Sequence, residues 1–146
     1  MRALLQKVTE AAVRVSGEEI GRIGPGLLIF LGVLDGDTEE HAQWLAEKIG
    51  KLRLWDSDGK INQKNVSEVG GSLLTISQFT LAGDTSKGNR PDYTKAMEPK
   101  AAEKLYNLFI QYCRALGVPV AEGRFGASME ITLTNDGPVT LMLERP

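Results

Sequence analysis

Two short stretches hold the residue types from which a reaction could be built. The first is Ser77-Gln78-Phe79-Thr80-Leu81, polar side chains at the end of an apolar run. The second is Asn135-Asp136-Gly137-Pro138-Val139-Thr140, close to the C-terminus. A fully buried strand would normally avoid Ser77, Gln78 and Thr80. A strand end also presents backbone N–H groups that no neighbour need occupy, and such groups can hold a developing oxyanion. Thr80 is the one plausible side-chain nucleophile. Its hydroxyl needs an adjacent base to attack well; no histidine is placed to serve, and a lysine would first have to be desolvated. Phe79 has two readings, a pocket wall or a packing residue of the core.

The second stretch poses a different question. Asn135-Asp136-Gly137 reads as a hairpin turn, after which Pro138 opens a new strand although it cannot donate to a ladder. Proline is tolerated at the first position of a strand. The alternative is that Gly137-Pro138 is a rigid backbone corner placed for use. Cis peptides are essentially confined to proline, and a preceding glycine admits backbone angles closed to other residues.

The familiar catalytic devices are missing. The single histidine, His41, lies in the first turns of a predicted helix among Glu39, Glu40 and Gln43, and reads as an exposed surface residue. It has no nucleophile and no orienting third group beside it in sequence. Cys113, the single cysteine, neighbours the apolar face of a second helix and reads as buried packing. Neither zinc-ligand spacing nor a Cys/His cluster is present. "GRIGPG" joins two strands, whereas a dinucleotide loop joins strand to helix. "GDTSKGNR" lacks the order of a phosphate-binding loop, and "WDSDG" lacks the later ligands of a calcium loop. No metal or cofactor is therefore expected, and any catalysis must come from backbone groups, hydroxyls or the substrate.

These residues need a scaffold. Residues 2–16 and 20–23 alternate as strands, and "LLIFLGVL" reads as a strand buried on both faces. A helix follows, capped by Asp37 or Thr38, with Ala42, Leu45, Ile49 and Leu52 as its stripe. "DSDGKIN" reads as a turn around Gly59. "SLLTISQFTL" reads as one strand, with Leu74, Ile76, Gln78 and Thr80 on one face. A polar loop covers 82–94. A second helix spans about 99–116, with Pro99 in its first turn, Gly117 as its cap, and Leu105, Leu108, Phe109, Tyr112 and Leu116 as its apolar face. "VPVAEGRF", "MEITLTND" and "PVTLMLE" return to β structure. The order predicts an α+β fold, an antiparallel sheet covered by two helices, in one domain over 1–146.

Composition narrows the class. With 146 residues, 42% hydrophobic and 25% charged, the chain has enough apolar content for a sizeable core. The run from Leu27 to Leu34 is too short to span a bilayer. Lone Cys113 fits a reducing cytosol, so a cytoplasmic location is expected, with no membrane partner. A net charge of −2 argues against wrapping long nucleic acid, and no DNA partner is expected. A local basic rim stays open. Lys87, Arg90, Lys95, Lys100 and Lys104 lie close together, diluted by Asp84, Asp92, Glu98 and Glu103; the plainer reading is a solvated loop and helix face.

Taken together, "SQFTL" and "NDGPVT", at this separation in a chain of this length, resemble the D-aminoacyl-tRNA deacylases of bacterial and eukaryotic type. The likeness extends over the whole chain, through "MRALLQKVTEAAVRV", "GLLIFLGV" and "GRFGASMEI". Neither motif departs from the pattern, and Asp136 falls where the family varies. The resemblance implies a homodimer of β-barrel-like α+β subunits that hydrolyses the ester joining a D-amino acid to the tRNA 3′ end. It implies catalysis around Ser77, Gln78, Phe79 and Thr80. It also implies a substrate-binding corner at Gly137, Pro138, Val139 and Thr140, with a cis Gly-Pro peptide reaching into the partner subunit's pocket. Phe79 would lie near the terminal adenine, and Lys87 and Arg90 could meet acceptor-stem phosphates. The alternatives are a tRNA-end binding module without catalysis and a small-ligand barrel with no RNA partner.

Overall fold

The computed structural model describes residues Met1–Pro146. Its organising element is β1 (Arg2–Val15), a long strand paired along both edges. β2 (Glu18–Ile23) and β3 (Gly26–Gly32) share one edge of β1, and β8 (Glu130–Glu144) takes the other, all antiparallel. β3 continues the sheet to β6 (Ser72–Ser77), and β6 to β7 (Val120–Glu122), both in parallel. The sheet is therefore mixed rather than antiparallel throughout. Parallel neighbours need long crossovers, and both helices lie in such connections. These are α1 (Glu39–Lys51) between β3 and β6, and α2 (Pro99–Arg114) between β6 and β7. No helix is long and apolar enough to cross a membrane.

Each face of the sheet has its own core. Side chains alternate across a strand, so Leu27, Ile29 and Leu31 of β3 join the helix-side cluster with Leu45, Ile49, Phe109 and Cys113. Leu28 joins the opposite cluster with Val8, Val13, Leu74 and Ile76, and Phe30 packs beside it. There the curved sheet closes over its own inner face in a barrel-like way, and Ile131 and Leu133 of β8 pack against that cluster. β3 and β6 are consequently apolar on both sides. Gly26 in β3 marks how tightly they meet, for a Cβ there would lie 1.9 Å from the Ser72 carbonyl oxygen.

The helices begin with local hydrogen bonds. In α1 the Thr38 N–H donates to His41 Nδ1 at 3.0 Å, and His41 Nε2 lies 3.2 Å from the Pro146 carbonyl oxygen. His41 is thus a half-buried capping residue rather than a free surface side chain. The buried stripe of α1 is Ala42, Leu45, Ala46 and Ile49, with Leu52 at its margin. Nearby, Asp37 accepts from the Met1 ammonium at 2.9 Å and from the Leu34 N–H at 2.7 Å. In α2 the Glu98 carboxylate accepts from the N–H groups of Lys100 and Ala101, which holds its carboxyl below the ordinary range. Pro99 follows in the first turn, as expected.

Three expectations shift. The apolar face of α2 centres on Ala102, Tyr106, Phe109, Ile110 and Cys113, while Leu105, Leu108, Tyr112 and Leu116 flank it half-buried. Tyr106 reaches the core because its hydroxyl donates to the Thr75 carbonyl oxygen at 3.0 Å. Burial pushes the Cys113 thiol up to about 12, in keeping with a packing role. Secondly, the "DSDGKIN" turn belongs to a small hairpin, β4 (Trp55–Ser57) with β5 (Lys60–Lys64). Gly59 supplies its left-handed residue at φ 75°.

Thirdly, residues 135–137 do not reverse the chain. Segments 130–135 and 140–144 both pair with β1 and belong to one strand, β8. Gln6 pairs with Thr140 and Val8 with Asn135, so Lys7 alone stands opposite residues 136–139, which must bulge from the ladder. The Asn135 side-chain amide closes this bulge by donating to the Lys7 carbonyl at 2.8 Å and the Val139 carbonyl at 3.1 Å. The expected hairpin turn is therefore a bulge within one strand, because β1 holds both of its flanks.

The β3–β6 contact yields a matched test. Gly26→Ala should lower stability by about 3 kcal/mol, since backbone must part to admit the methyl group. Gly24→Ala, with nothing within 4 Å of its would-be Cβ, should stay within about 0.5 kcal/mol of the parent. Urea unfolding midpoints measure both.

Candidate active site

β6 ends earlier than expected. Its partner β3 stops at Gly32, and the last ladder bond runs from the Gln78 N–H to the Leu31 carbonyl at 2.8 Å. Without a further partner the chain coils into a 3₁₀ turn over Phe79–Ala82, closed by Leu81 N–H to Gln78 O and Gly83 N–H to Thr80 O. The expected alternation of Gln78 and Thr80 with Leu74 and Ile76 therefore ends at Ser77. In exchange, Phe79 and Thr80 precede the first bond of the turn, so the turn itself leaves their N–H groups free. The Gln78 N–H is already committed to β3.

Two neighbours fix this turn. A Cβ on Gly32 would lie 2.8 Å from Leu81 Cβ and 3.2 Å from the Gln78 carbonyl oxygen, so only glycine lets the turn settle on β3. From β1, Arg2 Nη1 donates to the Leu81 carbonyl at 2.7 Å while its Nε donates to Glu144. The segment after the turn is anchored by Met97 N–H to Val33 O and Asp35 N–H to Lys95 O.

Between the turn, this segment, the start of α2 and residues 125–131 lies a cleft of about 560 Å³. Ser77, Gln78 and Phe79 line it, facing an apolar wall that includes Met97, Tyr106, Phe125 and Met129. Phe79 is 60% exposed and meets Tyr93 edge-on, with ring centroids 5.3 Å apart. It is a rim residue rather than part of the core. Burial raises the Tyr106 phenol well above its ordinary range, so it stays neutral. The side-chain amide of Gln78 donates to Thr80 Oγ1. No histidine or lysine hydrogen-bonds that hydroxyl, and His41 is held at the start of α1. No cluster of three or more His, Cys, Asp or Glu side chains could hold a metal ion.

The second motif lies elsewhere in the chain. Gly137 and Pro138 sit exposed on the β8 bulge, joined by a cis peptide, and do not line the cleft. Val139 packs against the helix-side core, and Thr140 rejoins the ladder, where its hydroxyl accepts from the Gln6 amide at 3.2 Å. Lys87 and Arg90 are exposed on a loop pinched at its base by the reciprocal backbone bonds of Asp84 and Asp92. The structure thus places Ser77, Gln78 and Phe79 on the cleft, leaves Thr80 exposed beside Gln78 and outside its lining, and keeps Gly137–Thr140 apart from it. Arg2, Gly32, Tyr93 and Met97 support or line the site without any local sequence signal. Phe125 falls within "GRFGASMEI", the stretch that carried part of the resemblance.

Comparison with known proteins adds the family. A family model described as "D-Tyr-tRNA(Tyr) deacylase" matches residues 4–144. The chain is 52% identical over 145 residues to the "D-aminoacyl-tRNA deacylase" of Cereibacter sphaeroides, covering 99% of each. It is 50% identical to the protein of the same name from Dehalococcoides mccartyi, covering 99% of this chain and 94% of the other. A solved structure named "c-Myc DNA Unwinding Element Binding Protein" superposes with a TM-score of 0.93 at 39% identity, covering 100% of this chain and 99% of that one. With the cleft lined by Ser77, Gln78 and Phe79 and the match running through both motifs, this chain belongs to the D-Tyr-tRNA(Tyr) deacylase family.

Proposed function

We propose that this protein is a D-aminoacyl-tRNA deacylase, hydrolysing the ester between a D-amino acid and the tRNA 3′ end. The observation that carries the reading is the cleft lined by Ser77, Gln78 and Phe79, in a chain half identical to proteins of that name. The ester is activated, so modest assistance suffices. The free N–H groups of Phe79 and Thr80 are suited to receive the oxyanion of the tetrahedral intermediate. One such donor contributes roughly 10²–10³ in rate. Phe79 and Tyr93 offer aromatic surface to the terminal adenine.

Thr80 supports the pocket and is not the nucleophile. Its oxygen already accepts from Gln78, and it lacks the base that a threonine nucleophile requires. Water attacks instead, oriented or activated by the ribose 2′-hydroxyl of the terminal adenosine.

Handedness is judged by the carbonyls of Gly137 and Pro138, lent by a second copy of the chain. The separation of the corner from its own cleft supports this division of labour. So does β8, a 15-residue strand paired on one edge only, with Leu141 and Met142 exposed. Such edges are ready sites for association. Three ties hold the corner: the Asn135 bonds, the packing of Val139 and the return of Thr140 to the ladder. A D substrate turns only its ammonium and Cα hydrogen toward the carbonyls, whereas an L substrate drives its side chain into them. A clash of roughly 4–6 kcal/mol rejects the L form by several orders of magnitude. Glycine lacks the rejected group, so glycyl-tRNA is accepted to some extent. Lys87 and Arg90 position the acceptor-stem phosphates without reading sequence.

With matched D- and L-tyrosyl-tRNA, ester loss should be confined to the D form. Intact D-ester after incubation would leave a tRNA-end binding module or, with no salt-dependent tRNA affinity, a small-ligand barrel. Thr80→Ala should retain activity within about tenfold, whereas a 2′-deoxy terminal adenosine should slow cleavage by about 10² or more. A folded but inactive Thr80→Ala protein would indicate covalent catalysis. Lys87→Gln with Arg90→Gln should weaken all tRNAs alike and flatten the salt dependence of binding.

A further inference from the structure

The β4–β5 hairpin is the part of the fold least explained by packing, since every residue of β5 is exposed. Trp55 pairs with Lys64 and Ser57 with Lys60, with the register broken between the two pairs. Directly paired residues of an antiparallel ladder share a face, so Lys64 lies beside Trp55 and Lys60 beside Ser57. At the irregularity Asn62 takes a left-handed φ of 54°, and its N–H donates to the Asp56 carboxylate at 3.1 Å. The lead-in from α1 adds Lys51 and Arg53, both exposed. None of Lys51, Arg53, Lys60 and Lys64 has a carboxylate within 4.0 Å; of the seventeen lysines and arginines only Arg2, Lys7, Arg22, Lys95 and Arg114 have one.

The hairpin also stands next to the corner on β8. The Lys7 ammonium lies 5.4 Å from the centroid of a Trp55 ring and 3.5 Å from Asp136 Oδ2. Asp136 precedes Gly137 directly. The Lys7 side chain thus links the cationic hairpin to the bulge that carries Gly137 and Pro138.

We infer that the β4–β5 hairpin is an RNA-docking surface, on which Lys60 and Lys64 hold backbone phosphates of the tRNA whose 3′ end occupies the partner's cleft. The inference rests on the reading of the corner as a part lent across a dimer. Wherever the corner enters a partner's cleft, the hairpin of the same chain arrives beside it and meets the acceptor arm leaving that cleft. A chain of net charge −2 has no bulk attraction for a polyanion, so its phosphate contacts must be local patches of unpaired cations. The contact is blind to sequence, since ammonium groups on phosphates carry no base information.

The test compares the parent with the double variant Lys60→Gln, Lys64→Gln on two esters, D-tyrosyl-tRNA and D-tyrosyl-adenosine, which lacks the acceptor arm. Binding of deacylated tRNA is titrated separately against salt. The variant should lose about tenfold or more in kcat/KM for the tRNA ester relative to the adenosine ester. Its slope of log affinity against log salt should fall by about 1–2. Lys60→Arg, Lys64→Arg should restore both. Unchanged tRNA affinity and slope, or an equal change on both esters, would overturn the docking surface. A parent protein that cleaves neither ester would overturn the hydrolase reading, while the tRNA titration would still decide the hairpin.

Discussion

Between Gln6 and Val8, β1 advances two residues while its neighbour β8 advances from Asn135 to Thr140. Neither strand can leave the ladder, because both flanks of this mismatch are tied down. Below it, Thr140 to Glu144 pair with Gln6 to Arg2; above it, Asn135 to Glu130 pair with Val8 to Arg14. The surplus residues have one direction left, outward. The bulge is thus a consequence of register, and Asn135 completes it by meeting two carbonyls that the ladder has abandoned. A backbone corner held by hydrogen bonds at its base and by Val139 in the core can act through its main-chain atoms without help from side chains.

The cleft follows from the same kind of constraint. β6 loses its partner at Gly32, and the chain coils because an extended strand would leave its polar groups unpaired. The coil frees the N–H groups of Phe79 and Thr80 at the edge of an apolar cleft. Their position is set from three sides: Gly32 beneath, Arg2 on the Leu81 carbonyl, and the anchored segment that bears Tyr93 and Met97. Donors fixed in this way need little reorganisation as charge develops, and electrostatic stabilisation of this type depends on such preorganisation.

Few of the cations are held by acids. Five of the seventeen lysines and arginines have a carboxylate within 4.0 Å, among them Arg22 with Glu19 and Arg114 with Glu122. Exposed pairs of this kind contribute little to stability. The remaining cations, Lys60 and Lys64 of the hairpin among them, stand free on a chain of net charge −2.

Much of this was legible in the residues themselves. The apolar periodicity of β3 and α1, the capping position of Thr38, the first-turn proline of α2 and the glycines at the turns are local features, and local sterics decide them. The two motifs also identified themselves, because their polar and cyclic residues sit where a simple strand would not want them. Three features depended on tertiary context. The end of β6 was set by where β3 runs out, not by any residue in "SQFTL". The face of α2 was set by the Thr75 carbonyl that satisfies Tyr106, a partner 31 residues away. The fate of "NDGPVT" was set by β1, which holds both flanks of the motif in one strand. A turn signal specifies that the ladder must break, because glycine and proline cannot continue it. Whether the chain then reverses or bulges depends on which strand lies alongside, and only the folded sheet supplies that neighbour.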